Sequence, residues 1–259
     1  MSETRQECLE VVLHQIEQRW GVRALVPART ASLVSGLAAG VAPLDQLLGS
    51  AGVPLHALTV LTGTATSGKL TLAYKLLSQA QKPPPLEPIH AVALLDLSAT
   101  TDPDYVARSG IDLEHLLLVR PERGTRTLRV LLDLVRSCQF RAILVDGLPE
   151  LLVDREAARL LDEMMPQVNL ALKGSGCALI LLDELHPPWL PPLPEWTSRA
   201  VRHYAALQIE LTRREWIVSA GELSGYRVQA RLVKSRGPRA GQTASIVIDS
   251  RIVRARETW

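Results

Sequence analysis

The sequence predicts an α/β fold in which a mostly parallel sheet is covered by helices on both faces. From residue 41 onward, short apolar runs alternate with longer amphipathic segments, which is the order of β-α-β units. Most of the apolar runs are continuous, as expected for strands that are buried on both faces. Apolar residues make up 47% of the chain and aromatic residues only 4%, so we expect a core of Leu, Val, Ala and Ile.

The individual elements follow from the hydrophobic periodicity and from the residues that interrupt it. Predicted strands at 58–62, 91–96, 116–119, 142–146 and 178–183 alternate with predicted helices at 70–81, 102–109, 125–137 and about 155–173. After residue 204, period-two segments at 206–212, 216–220, 226–234 and 245–248 predict antiparallel strands that extend the sheet.

An amphipathic helix is predicted ahead of this core, at residues 5–20. Its apolar residues at helical spacing are Leu9, Val12, Leu13, Ile16 and Trp20. A segment rich in Ala, Gly and Ser follows, up to residue 40. We therefore divide the chain into an N-terminal helix and linker at 1–40 and a core at 41–259.

Charge and composition narrow the class of protein. The net charge of +2 is too small to indicate nucleic-acid binding by itself. Arginines are concentrated between residues 199 and 256, which suits a surface facing phosphates, an acidic partner, or a simple solvated face. The three cysteines match no metal-site spacing, so no metal site is predicted. Without a signal-peptide pattern or a membrane-spanning apolar run, we expect a soluble, cytoplasmic protein with no membrane partner.

A glycine-rich segment joins the strand at 58–62 to the helix at 70–81. Its sequence is Gly63-Thr64-Ala65-Thr66-Ser67-Gly68-Lys69, which has the spacing of a phosphate-binding loop in the required strand–loop–helix context. Glycines allow backbone amides to converge on phosphates, and the helix N-terminus adds a positive dipole. The Lys69 ammonium supplies a charge for the β- and γ-phosphates. The segment therefore predicts nucleotide binding, with ATP as the candidate cofactor.

The residue after Lys69 departs from this pattern. Phosphate loops normally continue with Ser or Thr, whose hydroxyl ligates magnesium. Here Leu70 takes that place, and the hydroxyl of Thr71 is turned about 100° further round the helix. This counts against magnesium-assisted hydrolysis.

The strand at 142–146 ends in a carboxylate, in the run Ile143-Leu144-Val145-Asp146. A carboxylate at this position can hold magnesium through water, although many parallel strands end in Asp. Because the strand follows the phosphate loop by about 80 residues, we include Asp146 in the nucleotide site.

Several further segments, in order and spacing, resemble the core of the bacterial RecA recombinases over nearly the whole chain. They are Gln15-Ile16-Glu17-Gln18-Arg19-Trp20-Gly21, Ala42-Pro43-Leu44-Asp45, Gly52-Val53-Pro54-Leu55, Asp102-Pro103-Asp104-Tyr105 through Asp112, and Leu232-Val233-Lys234-Ser235-Arg236. The resemblance implies a RecA-like phosphate-loop core in which Tyr105 stacks on adenine and Asp102 lies near its edge.

The same resemblance implies contacts between protein chains. The N-terminal helix, with Ile16 and Trp20, would pack on a neighbouring protomer and allow self-association. Lys234 and Arg236 would reach across a filament interface to a neighbour's nucleotide. Single-stranded DNA is the ligand that such filaments bind.

Two further departures from the family pattern concern catalysis. Ser98 stands where RecA has the glutamate that activates water, and a serine cannot act as that base at neutral pH. Asp96 is a displaced substitute two residues earlier. Glu184 stands where the family has a glutamine that senses the γ-phosphate, and a carboxylate would repel it. With Leu70, three catalytic positions have changed together, so we assign no catalytic residue and expect at most a weak DNA-dependent ATPase.

The segments that correspond to the DNA-binding loops also differ. The stretch from Asp146 to Met164 is shorter than in RecA, and residues 186–196 are rich in proline and contain Trp189 and Trp196 but no Lys or Arg. This second segment suits a protein-docking loop, a DNA-stacking loop, or tryptophans tucked against the sheet edge. The sequence ends at Trp259, where RecA would continue into a C-terminal domain.

Short RecA-like proteins with eroded catalytic motifs, of the ImuA type, resemble this chain. That resemblance implies an accessory role in SOS mutagenesis, with contacts to RecA and to a Y-family-like polymerase subunit. The alternative is an active RecA-type ATPase that coats single-stranded DNA. A phosphate-loop kinase or transporter ATPase fits less well, because no acceptor or membrane-partner signature is present.

Overall fold

A computed structural model describes residues 3–20, 36–49, 52–83, 88–122, 124–185, 198–219, 222–235 and 239–249. The chain forms two compact units, residues 1–34 and 35–259. The first contains helix α1, Glu3–Trp20. The second contains the sheet and the other helices described below.

The helices of the second unit are α2 (Ala42–Leu48), α3 (Lys69–Gln81), α4 (Pro103–Arg108), α5 (Thr125–Arg136), α6 (Leu148–Leu152), α7 (Arg155–Ser175) and α8 (Arg199–Tyr204). A short 3-10 helix spans Leu113–His115. The strands are β1 (Gly36–Leu37), β2 (Val53–Pro54), β3 (Ala57–Gly63), β4 (Val92–Asp96), β5 (Leu116–Val119), β6 (Ala142–Asp146), β7 (Ala178–Glu184), β8 (Ala205–Ser219), β9 (Glu222–Lys234) and β10 (Thr243–Asp249).

Eight strands form one sheet in the order β10-β9-β8-β3-β7-β6-β4-β5. The six strands from β8 to β5 run parallel, and β9 and β10 are added antiparallel at one edge. This confirms the α/β fold class that the alternation of apolar runs predicts. Because the strands from β3 to β7 are parallel, their carboxyl ends meet at one edge of the sheet, where Gly63, Asp96, Asp146 and Glu184 lie.

Each face of the sheet is covered by its own hydrophobic cluster. On β6, Leu144 belongs to the cluster that contains α3, while Ile143 belongs to the one that contains α5 and α7. Both side chains are fully buried. Continuous apolar strands are therefore explained by burial on two faces, as expected for parallel strands between helical layers.

The structure differs from the sequence prediction in several segments, including helices α2, α6 and α8, which the sequence pattern does not predict. Residues 205–219 form one long strand, whereas the sequence predicts two strands at 206–212 and 216–220. The polar Arg-Arg-Glu sequence forms a β-bulge between Arg213 and Glu215 and not a turn, so the strand continues. Within the predicted linker, β1 pairs antiparallel with β2. The proline-rich loop with Trp189 and Trp196, Arg236 and the C-terminal tail lie outside the described residues.

Among the described residues, no helix has both the length and the apolar composition needed to cross a membrane.

Candidate functional site

The phosphate loop connects the end of β3 to the start of α3. The Ser67 amide donates to the Thr64 carbonyl at 3.0 Å, which closes the loop on itself. Gly68 adopts φ +85°, a left-handed conformation that glycine tolerates best, and caps the helix that starts at Lys69. At Gly63, an added Cβ would collide with the Ser67 side chain and lie 2.7 Å from the Leu211 carbonyl oxygen. Both glycines are therefore required by the loop geometry.

Lys69 lies along the loop and is already paired within the chain. Its ammonium donates to the carbonyl oxygens of Gly63 and Thr64, at 3.2 and 3.3 Å. It also forms an ion pair with Glu184, at 3.8 Å. The charge that phosphate loops offer to phosphates is thus partly neutralised by a carboxylate of the same chain.

The two residues after Lys69 face different surroundings. Leu70 is half-buried and packs against the hydrophobic cluster that contains α3, so it offers no oxygen to a metal. The Thr71 hydroxyl lies 2.7 Å from the Tyr105 hydroxyl. It also pairs with the Tyr226 hydroxyl. The Thr71 hydroxyl is therefore engaged with two tyrosines.

Asp96 is hydrogen-bonded as a buried anion, which counts against the role of displaced base that the sequence suggests. Its fully buried carboxylate accepts hydrogen bonds from the Thr100 and Thr101 amides, the Ser98 hydroxyl and Arg120 Nε, at 3.0 to 3.2 Å. Burial alone would raise the pKa of Asp96, but the hydrogen bonds from Thr101, Arg120 and Ser98 outweigh it and lower the pKa. A carboxylate so held has a weak affinity for a proton, which is the reverse of what a general base needs.

Asp146 lies beside Asp96 in the sheet register. Desolvation by burial and the charge of Asp96 raise the pKa of Asp146, while Lys69 opposes this change. Within the described ranges, no three His, Cys, Asp or Glu residues come together as a metal site. Because Leu70 takes the place of the hydroxyl that normally ligates magnesium in phosphate loops, the side chains present do not fit a magnesium ion held in that manner.

A pocket of about 270 Å³ opens beside the start of α3. It is lined by Gly40, Val41, Thr71, Leu72, Lys75, Ser109 and residues 246–249.

Tyr105 is half-buried on α4. Its hydroxyl contacts that of Thr71, and its ring centroid lies 5.6 Å from that of Tyr74. Asp102 caps α4 by accepting from the Asp104 amide at 2.9 Å. Of the two residues that the resemblance assigns to the base, Tyr105 therefore contacts the first turn of α3, and Asp102 lies at the N-cap of the short helix that carries Tyr105.

Sequence reasoning missed the side chains that lie over Gly68. The Ile248 side chain contacts the place of a Gly68 Cβ, and the Tyr226 hydroxyl lies 3.2 Å from that place. Burial raises the pKa of Tyr226, while its hydrogen bond with Thr71 acts in the opposite direction. The period-two pattern of β9 puts Tyr226 on the same face as Val228, but only the sheet order brings that face to the loop.

The aromatic contacts continue outward from Tyr226. Its ring centroid lies 5.5 Å from that of Trp216, across the β8–β9 pair, in an edge-to-face arrangement. The Arg213 guanidinium lies 4.4 Å above the Trp216 ring, within cation–π distance. Trp216 itself is 52% exposed.

The residues predicted to contact other chains are placed as follows. Lys234 donates to the carbonyl oxygens of Arg202 and His203 in α8, at 2.9 and 2.7 Å, so its ammonium is held within its own chain. Ile16 is half-buried on α1. The Trp20 side chain and Arg236 lie outside the part of the chain whose side chains are described.

Known proteins resemble this chain over most of its length. Residues 7–249 match the family described as RecA N-terminal domain. Protein RecA of Aquifex aeolicus is 28% identical over 250 residues, which cover 90% of this chain and 71% of that protein. Protein RecA of Clostridium acetobutylicum is 26% identical over 254 residues, covering 91% and 71%. The matched region includes the phosphate loop and every strand of the large sheet, and the chain belongs to the RecA family.

Proposed function

We propose that the protein is a RecA-like accessory factor of the DNA-damage (SOS) response, which binds nucleotide weakly or without efficient hydrolysis. It acts in the cytoplasm through contacts with RecA and with a translesion polymerase-like partner in induced mutagenesis. Membership of the RecA family supports a role in DNA recombination or repair. The resemblance of the sequence to the ImuA type supports the accessory role.

The observation that carries the proposal is the pairing of Lys69 with Glu184. The loop keeps the backbone geometry that cradles phosphates, yet its lysine is partly neutralised by an internal carboxylate. Asp96, the carboxylate nearest to the family's base position, is held as a buried anion by four hydrogen bonds. A nucleotide can therefore be bound here by the loop without the groups that promote fast hydrolysis.

The alternative is an active RecA-type recombinase that binds single-stranded DNA. The intact glycines at 63 and 68 and the conventional position of Lys69 favour it. Against it stand Leu70, Ser98 and Glu184, which remove the magnesium hydroxyl, the general base and the γ-phosphate sensor that the family uses.

The ATPase rate, with and without single-stranded DNA, separates the two functions. We expect turnover well below about 1 s⁻¹, the lower end of typical enzyme rates, with little stimulation by DNA. A RecA protein assayed in parallel provides the positive control, and Lys69→Ala shows whether residual turnover comes from this loop. Rapid, DNA-stimulated hydrolysis that Lys69→Ala abolishes would support the active RecA-type ATPase. It would contradict the proposal that this loop binds nucleotide without efficient hydrolysis.

A further inference from the structure

The backbone of Glu184 lies beside the first glycine of the phosphate loop. It pairs with Gly63 in the register of β3 and β7, and the next amide, of Leu185, donates to the Gly63 carbonyl at 3.1 Å. The Glu184 amide is itself bound by the Asp183 carboxylate, at 2.9 Å. The backbone ladder therefore places the Cα of Glu184 beside the loop, and from there its carboxylate lies 3.8 Å from the Lys69 ammonium.

The three phosphates of a nucleotide are bound by different parts of a phosphate loop. In a phosphate loop, backbone amides cradle the α- and β-phosphates, while the lysine and a magnesium ion serve the β- and γ-phosphates. A diphosphate thus relies mainly on the amides and the helix dipole, which this chain retains. A third phosphate relies on the lysine and the metal. In this chain the lysine is paired with Glu184, and Leu70 replaces the residue whose hydroxyl ligates the metal.

The charges at the carboxyl ends of β4, β6 and β7 also disfavour the binding of a third phosphate. Lys69 is paired with Glu184, and Arg120 is paired with Asp96 at 3.0 Å, so both cations described here are already compensated. Asp146 adds a further carboxyl group beside them. A γ-phosphate would bring additional negative charge into a region whose positive charges are engaged.

Resting on the nucleotide binding proposed above, we infer that this site selects nucleoside diphosphates over triphosphates, and that Glu184 determines the selection. Its carboxylate shares the Lys69 ammonium with the β-phosphate of ADP but excludes a terminal phosphate by repulsion. The side chain of Glu184 is 39% exposed, so the site is solvated. In water, one like charge at about 4–6 Å costs about three- to sixfold in affinity.

The test is a comparison of affinities for ADP and ATP by equilibrium dialysis in EDTA, which also prevents hydrolysis. We expect the wild-type chain to bind ADP about three- to sixfold more tightly than ATP. Glu184→Gln preserves the shape of the side chain and removes its charge, so affinity for ATP rises more than affinity for ADP and the ratio approaches one. Glu114→Gln is the matched control, because Glu114 precedes β5 at the opposite edge of the sheet.

The outcomes separate this inference from the function on which it rests. If both nucleotides bind equally, or if Glu184→Gln leaves their ratio unchanged, while Lys69→Ala abolishes binding, the selection is wrong and the nucleotide site stands. If neither nucleotide binds to the wild-type chain or to Glu184→Gln, or if Lys69→Ala does not reduce the binding, both the nucleotide site and the selection are wrong.

Discussion

At the scale of single residues, Asp96 shows how a neighbour decides what a carboxylate can do. The side chain of Asp96 is fully buried, and Arg120, which is 47% exposed, reaches it from the end of β5 and also donates to the Thr101 carbonyl at 2.9 Å. A buried carboxylate without such a partner would be costly, and with it the carboxylate is a stable anion. The role of Asp96 is therefore to fix the turn after β4.

We predict that Arg120→Ala lowers the free energy of unfolding by about 1–2 kcal/mol, less than for a fully buried pair because Arg120 is half-exposed. Because the pKa of Asp96 lies below its ordinary value of 3.8, its contribution is present above that pH and is lost as the pH falls through the folded pKa. The gap between wild type and variant should therefore close below pH 3.8. Urea unfolding at several pH values measures it.

The matched control is Arg129→Ala, which removes an exposed arginine of α5. An equal loss of stability in both variants would contradict a specific role for Arg120. So would a gap that persists unchanged under strongly acidic conditions.

At the scale of elements, α1 presents apolar side chains to solvent. Val11, Val12 and Leu13 are exposed by 57%, 49% and 37%. A single helix of 18 residues is only marginally stable in water unless its apolar face is covered. The apolar face of α1 therefore needs a covering surface, and the resemblance to RecA predicts that this surface belongs to another protein chain, of the same kind or of RecA.

We predict that the double variant Ile16→Ala/Trp20→Ala weakens association with RecA by about tenfold or more, because two large apolar side chains four residues apart are removed from one helix face. Co-purification with RecA and analytical ultracentrifugation of the chain alone measure the two kinds of contact. Gln15→Ala, an exposed polar position on the same helix, should leave both unchanged. Unaltered association of the double variant would remove α1 from the proposed interface.

At the scale of the whole molecule, the sheet divides the interior into two hydrophobic clusters, and position within the sheet decides how much a side chain contributes. Leu144, on the central strand β6, is fully buried, whereas Leu117, on the edge strand β5, is 44% exposed. The two residues are chemically identical and both lie in apolar strands. Their difference comes from the position of β5 at the edge of the sheet and from the face on which Leu117 lies, because Leu116 and Leu118 on the same strand are half-buried.

We predict that Leu144→Ala costs about 2–5 kcal/mol in the free energy of unfolding, because it loses transfer energy and leaves a cavity. Leu117→Ala should cost less than about 1 kcal/mol, since its side chain is half in water already. Urea unfolding of both variants under identical conditions measures the contrast. Equal costs would contradict the strand order described here.

The sequence by itself determined the local features of this protein. The sequence predicts strands β3 to β7 and helices α3, α4, α5 and α7 to within a few residues, because hydrophobic period and glycine or proline boundaries are encoded locally. It does not predict the short helix α6. The loop from Gly63 to Lys69 and the change at Leu70 could be read directly. The single strand β8 could not, because whether Arg213-Arg214-Glu215 turns or bulges depends on pairing with β9.

Only the tertiary structure decided which residues surround the phosphate loop. Glu184 reaches Lys69 because β7 pairs with β3, Arg120 captures Asp96 because β5 pairs with β4, and Tyr226 reaches Gly68 from across the antiparallel edge. These contacts join residues far apart in the chain, and their formation depends on strand order and register. Local propensity carries no information about either, so the engaged state of Lys69 and Asp96 emerges only from the fold.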